Sequence, residues 1–273
     1  MEELILAAAP CDLSESAVCA PANVNELFEF RETVYFVFGL PITRTVFLIF
    51  LVAAFAIALF YFGLRKRYTQ PGKFQLAIES LMTFVRDDIA IGIIGPTGIK
   101  YYPYLLSLLI FILIGNVFKI TPFINLPVTA RMAIPLFLAL LTWVIFVFAG
   151  FKRNGFSYFL GIVWPPGVPV ALKPLVGVIE FFSTFFVRPF SLAVRLFANL
   201  VAGHVMLTLL LTTAFVSFAT IGEIGLVKGA FGFAWWALGL SIFMFEIIVI
   251  ILQAYIFTLL SAVYINTSVN AEH

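Results

Sequence analysis

Charge is scarce in this chain: 11% of its 273 residues are Asp, Glu, Lys or Arg, while 63% are hydrophobic. A soluble domain carries about 25% charged residues, so the composition excludes an ordinary water-soluble globule and describes a chain dissolved in lipid. The net charge is +2, and no basic tract marks a nucleic-acid surface, so no nucleic-acid partner is expected. Cysteine is nearly absent too. Cys11 and Cys19 are the two present, and in an oxidising compartment they could pair with each other or stay apart. No Cys/His cluster has metal-ligand spacing, so no metal and no cofactor are expected. Neither an HExxH nor a GxSxG motif occurs, which leaves an intramembrane hydrolase without a nucleophile or metal set and predicts a protein with no catalytic residues. The opening "MEELILAAAPCDLSESAVCAPAN" lacks a basic n-region and reads as a retained extramembrane segment, not a signal peptide.

What is there is a set of long apolar runs. Thr45 to Leu64 is free of charge and long enough to span a bilayer once. Arg65, Lys66 and Arg67 follow it directly, whereas the segment before it holds Glu2, Glu3, Asp12, Glu15, Glu26, Glu29 and Glu32. The positive-inside rule then places the N-terminus outside and the basic loop in the cytoplasm. Phe74 to Ile89 carries Gln75, Glu79, Thr83 and Arg86 at steps of three and four, which predicts an amphipathic helix lying at the cytoplasmic interface or packed partly buried. Tyr101 to Phe118 runs outward and Met132 to Gly150 returns, joined by the loop "KITPFINLPVTAR". Lys152 and Arg153 mark the cytoplasmic exit, and "WPPGVP" at Trp164 to Pro169 is a loop.

Two further runs are too long for simple crossings. Pro174 to Gly222 contains only Glu180, Arg188 and Arg195 as formal charges, and Gly229 to Ala271 only Glu246. At 1.5 Å per residue each far exceeds a hydrocarbon core of about 30 Å. Neither has a mid-span turn signal, so two long tilted helices are expected, joined outside around Thr220–Gly229, with the C-terminus cytoplasmic. The fold class is therefore an all-α polytopic membrane protein with about five crossings, the last two long and tilted, plus one interfacial helix. An extramembrane segment (1–43) precedes a single membrane domain (44–272) with spans near 45–64, 101–118, 132–150, 174–219 and 230–267, and the interfacial helix near 74–89.

Ionisable groups inside a membrane are expensive and usually mark a pathway, the alternative being an internal pair that only fixes packing. Arg188 and Arg195 are seven apart and share a helix face within about 20°. Ser191, Asn199 and Ala202 join that face, which is small and polar near Arg195 and open to a close neighbour. Glu180 lies about 22 Å back along the helix from Arg195, too far to neutralise it, so the missing anion should come from a partner. Arg188, beside Pro189, is nearer a helix start and fits a structural ion pair with Glu180. His204 is nine residues from Arg195 and points to the opposite face. Glu246 and Gln253, seven apart, share a face of the last helix. A desolvated His and Glu make a natural proton relay.

"RPFSLAVRLFANLVAGH" (Arg188 to His204) and "FEIIVIILQAYIFTLLSAVYI" (Phe245 to Ile265) resemble the signatures of the a-subunit family of rotary F-type ATP synthases. The likeness is specific from about Pro174 to Thr267 and rests upstream on topology and the "TPF" loop. It implies a non-catalytic stator with two offset half-channels. Arg195 would face the carboxylates of a rotating c-subunit ring, lowering their pKa by roughly 1–3 units and blocking a direct leak. Asn199 and Gln253 match polar positions near that arginine, and His204 and Glu246 the outer half-channel pair. Many bacterial members carry the carboxylate and the histidine the other way round. Arg131, in the outer loop, departs from the polar or acidic residue of many relatives. Partners implied are the c ring, the peripheral-stalk b subunits, the other ATP synthase subunits and the lipid of a bacterial plasma membrane. A stand-alone ion-coupled secondary transporter is the alternative, although no inverted repeat is visible.

Overall fold

A computed structural model of the chain describes residues 35–37, 40–42, 44–64, 72–120, 131–164, 169–219 and 226–270. Cys11, Cys19, the Arg65–Arg67 loop, the "TPF" loop, most of "WPPGVP" and Glu223 lie outside the described residues. Two three-residue strands, β1 (Tyr35–Val37) and β2 (Leu40–Ile42), form an antiparallel ladder with Phe36 opposite Pro41. Every described element after them is a helix. A proline in so short a ladder marks it as an edge, not the seed of a sheet.

The first helix, α1 (Arg44–Leu64), is apolar on all sides. Only 17% of its span is buried, and Phe47, Phe50, Ile57 and Phe62 are exposed, so most of its surface is left for lipid. It packs on α2 (Lys73–Phe84) and α3 (Tyr102–Ile120). In α2 the expected polar stripe is real: Gln75 donates to Glu79 across one turn at 2.8 Å. The helix then widens into a π turn at Val85–Ile91, where Arg86 and Asp87 form an exposed pair at 2.7 Å. Hydrogen bonds from Arg86 hold the Asp87 carboxyl below its ordinary value. The chain continues through Gly92–Ile94 and the 3₁₀ turn Pro96–Lys100, with Gly95 at φ 88°, a backbone region that favours glycine.

The most enclosed span is α3, 56% buried. Its Leu105 and Leu109 pack with Val85, Ile89, Phe146 and Ile265 in one cluster, while Leu108 and Ile112 meet Leu138, Leu192, Leu196 and Phe257 in a second. These two clusters tie α4 (Ala133–Asn154) and the two last helices to α3. A short α5 (Ser157–Val163) follows, and burial raises the Tyr158 phenol above its ordinary value while its hydroxyl meets Ser268 Oγ at 3.0 Å.

The chain then runs through α6 (Lys173–Phe182), a π turn at Ser183–Val187 and α7 (Arg188–Ala219) as one apolar run of 47 residues. The final α8 (Leu226–Val269) has 44 residues. At 1.5 Å per residue these are about 70 Å and 66 Å long, so neither crosses a core of about 30 Å upright. No pair of described elements is more extensively packed than α7 and α8. Five described helices are long and apolar enough to cross a membrane, as the composition demands.

Candidate functional site

Arg188, read above as nearer a helix start, sits with Pro189 inside a continuous helical run. A proline there has no N–H to give to the preceding turn, and its ring crowds the carbonyl four residues back. The π turn at Ser183–Val187 stands where that conflict arises and relieves it by widening the helix. A π turn takes up about one residue more than an α turn, so eight residues make about two full turns. Glu180 and Arg188, eight apart, are thereby brought to one face, with Arg188 Nη2 at 4.0 Å from Glu180 Oε1. Arg188 also reaches Thr267 Oγ1 at 3.5 Å and stacks over the Tyr264 ring at 5.6 Å. It joins α7 to the far end of α8.

Two turns on, Arg195 is exposed. Ala198, Asn199, Ala202 and Met206 are exposed with it, one stripe at helical spacing along α7. Among the described residues no hydrogen bond or ion pair reaches the Arg195 guanidinium. Its neighbour Leu196 is fully buried, so the helix has a packed side and an open side, with the arginine on the open one.

Asn199 bridges from that stripe to α8, its Nδ2 donating to Gln253 Oε1 at 2.8 Å. Gln253 is 4% exposed, and its Nε2 has no hydrogen-bond partner among the described residues. Both amides line a small cavity together with Asn116, Lys119 and Glu246, walled by Leu196, Leu200, Val249 and Ile250. The cavity wall is mainly apolar, so the Gln253 N–H is a buried donor with nothing to pair it among the described residues.

One residue of this cluster was missed by sequence reasoning. The sequence places Lys119 first in the outer loop, but α3 continues past it, and its Nζ lies 2.6 Å from Glu246 Oε2. The side chains are 3% and 5% exposed, so this is a buried ion pair between α3 and α8. The available signal was that a lysine at the outer end of a span runs against the positive-inside bias and wants an anion. Asn116, one turn earlier on the same face and 2% exposed, strengthened that signal.

Gly203 is what lets α7 come up to the pair. A Cβ on it would overlap Glu246 Oε1 and stand 2.6 Å from Lys119 Nζ. His204, next in the chain, is buried and near enough to Lys119 to feel its charge. Gly203→Ala should therefore force the Lys119–Glu246 pair out of its seat and lower the thermal midpoint of the purified protein, overpacking of a buried site costing about 1–3 kcal/mol. A thermal melt beside the parent checks this, and an unchanged midpoint would show that the pair can move aside freely.

The predicted site residues thus fall into three groups. Arg195 and Asn199 lie on the open stripe, Asn199 with Gln253, Glu246 and the neighbouring His204 form a polar cluster around the unpredicted Lys119, and Glu180 with Arg188 stands apart. Arg131 is exposed just before α4. The described residues hold no group of three or more His, Cys, Asp or Glu that could bind a metal ion.

A family model described as ATP synthase A chain matches residues 45–266. Curated relatives called ATP synthase subunit a include one from Frankia alni, 41% identical over 81% of this chain and 75% of the relative. Another from Rhodococcus erythropolis is 38% identical over 81% and 79%. A third, from Rhodospirillum rubrum, is 36% identical over 84% and 89%. With a match that takes in four candidate spans whole, the fifth as far as residue 266, and the whole polar cluster, this chain belongs to the ATP synthase A chain family.

Proposed function

We propose that this chain is the membrane stator of a rotary ATP synthase, passing protons to and from carboxylates on a c-subunit ring. The observation that carries the reading is Arg195: a guanidinium on the open face of a membrane helix, among small side chains, with no anion among the described residues. Such a charge is tolerated in a membrane when it faces a partner or water. A ring carboxylate passing Arg195 is favoured in its ionised form by the neighbouring cation, so it gives up its proton before passing and reloads afterwards. The fixed charge also bars a proton from passing straight between the two half-channels, which would drain the gradient without turning the ring.

The internal cluster supplies the outer half-channel in this reading. Glu246 and His204 take up and hand on the proton, and the Gln253–Asn199 bridge leads from the cavity to the open stripe. Arg188 and Glu180 serve as a structural anchor. The chain itself is non-catalytic, and ATP chemistry belongs to other subunits, with peripheral-stalk b subunits holding it against the ring. The membrane is the bacterial plasma membrane, with the N-terminus outside and the C-terminus in the cytoplasm.

Cysteine cross-linking tests the partner and the face together. In the intact complex, Ala198→Cys and Ala202→Cys should form disulfides with a cysteine placed on the outer helix of the ring subunit. Phe137→Cys, exposed on α4, should not. Equal cross-linking from all three, or none from the α7 stripe, would remove the ring from Arg195. A self-sufficient carrier would show neither the cross-link nor copurification with a ring-forming proteolipid.

A further inference from the structure

The Lys119–Glu246 pair invites a structural explanation, a clamp between α3 and α8, but its setting does not suit one. A buried ion pair adds little stability over well-packed apolar residues, and replacing it by such residues is often neutral or stabilising. Here the surroundings are apolar on most sides, with Leu196, Leu200, Val249 and Ile250 available to close the gap. The pair instead shares its cavity with the Gln253 amide and its orphaned N–H. The two carboxylate oxygens are also treated differently. Oε2 receives the ammonium at 2.6 Å, while Oε1 lies against Gly203, the residue before His204.

Resting on the proton-path reading above, we propose that Lys119 is a positioning residue for proton transfer at Glu246. Its ammonium holds Oε2 and leaves Oε1, turned toward Gly203 on α7, as the atom that receives the proton. In the step, a proton from the outer side forms an O–H bond on Oε1 and the carboxylate becomes a neutral acid. Lys119 stays an ammonium throughout and keeps donating to Oε2. The same O–H bond then breaks toward the next acceptor on the path, and the carboxylate and its ion pair are restored. The titratable groups around Glu246 among the described residues are Lys119 on α3 and His204 on α7; Arg195 lies on the opposite side of α7.

The test uses the whole complex reconstituted in liposomes, with ATP synthesis measured after an acid–base transition while the pH of the compartment facing the outer half-channel is varied. Lys119→Arg keeps the charge and should synthesise ATP within about twofold of the parent, a difference of about 0.4 kcal/mol. Exchanging the partners, Lys119→Glu with Glu246→Lys, keeps a pair between the same helices but moves the carboxylate to α3, away from Gly203. That complex should assemble in parent yield yet synthesise ATP at least about tenfold more slowly. Parent-level synthesis from the exchanged pair would show that it is only a clamp and overturn the proposal.

Lys119→Gln covers the case in which the exchanged chain does not assemble. It keeps an N–H for Oε2 without the charge, and its synthesis curve should move about one unit to the alkaline side, because proton binding at Oε1 no longer works against a neighbouring cation. An assembled Lys119→Gln complex with the parent's curve also overturns the proposal. Arg195→Ala in the same liposomes separates the two levels. Normal synthesis there sinks the stator reading itself, whereas loss there beside parent-like Lys119 variants sinks only the role of Lys119.

Discussion

Arg195→Ala should abolish ATP-driven proton pumping and, in the same membranes, open a passive proton leak. Most loss-of-function changes in a channel give the first effect without the second, so the combination is what identifies a barrier charge. The expectation follows from the exposure of Arg195 on the α7 stripe beside Asn199 and from the lack of an internal anion among the described residues. With the guanidinium gone, a ring carboxylate meeting α7 no longer has to shed its proton, and the two half-channels meet across a neutral surface. Pumping should fall to background and the leak rise at least about tenfold, equivalent to about 1.4 kcal/mol of lost barrier. Quenching of a pH-sensitive dye reads pumping, and its decay after an imposed gradient reads the leak. Arg195→Lys is not equivalent, since an ammonium lacks the planar fork that meets a carboxylate with two parallel bonds. Normal pumping in Arg195→Ala would defeat the mechanism.

The second large effect concerns stability. Glu246→Ala strands the Lys119 ammonium inside the protein, and removing one partner of a buried pair costs about 3–5 kcal/mol. The loss should fall on the docking of α3 against α8 and lower the thermal midpoint of the purified complex, with proton uptake lost as well. The double change Lys119→Met with Glu246→Leu should recover most of the stability and none of the proton uptake, because apolar side chains of similar size fill the space without charge. A double-mutant cycle on the midpoint gives the coupling between the two residues. If the single and double variants are equally unstable, the pair contributes only packing volume.

The parts of the molecule that could be read from sequence are those governed by one strong force. Five spans follow from the exclusion of charge from hydrocarbon, which writes itself into long runs such as Pro174 to Gly222. Helical periodicity then separates Arg195 from His204 and joins Glu246 to Gln253, and the structure keeps those faces: Arg195 open, the other three buried. What could not be read depends on local compensation. No composition announces a π turn, so Glu180 and Arg188 could be suspected as partners but not brought to one face by α-helical counting. The β1–β2 ladder was not foreseen either, since three-residue strands carry too few residues for a period. Lys119 was lost for a different reason: hydropathy ends a span at the first charge it meets, and here that charge belongs to the interior.

The π turn at Ser183–Val187 also works as a phase shifter between two lengths of helix. Everything before it is rotated by about one residue, roughly 100°, relative to an uninterrupted α-helix. Deleting a single residue there would let the backbone relax to α geometry and still keep Glu180 and Arg188 on one face, since seven residues of α-helix come within about 20° of two full turns. Straightening the turn at its present length would instead swing Glu180 and the rest of α6 by about 80° around the axis, away from Arg188, and leave the orientation of Arg195 untouched. The two ends of this one long helix can therefore be aimed independently, with the coupling arginine set by the packing of α7 on α8 and the anchoring carboxylate set by one extra residue of slack.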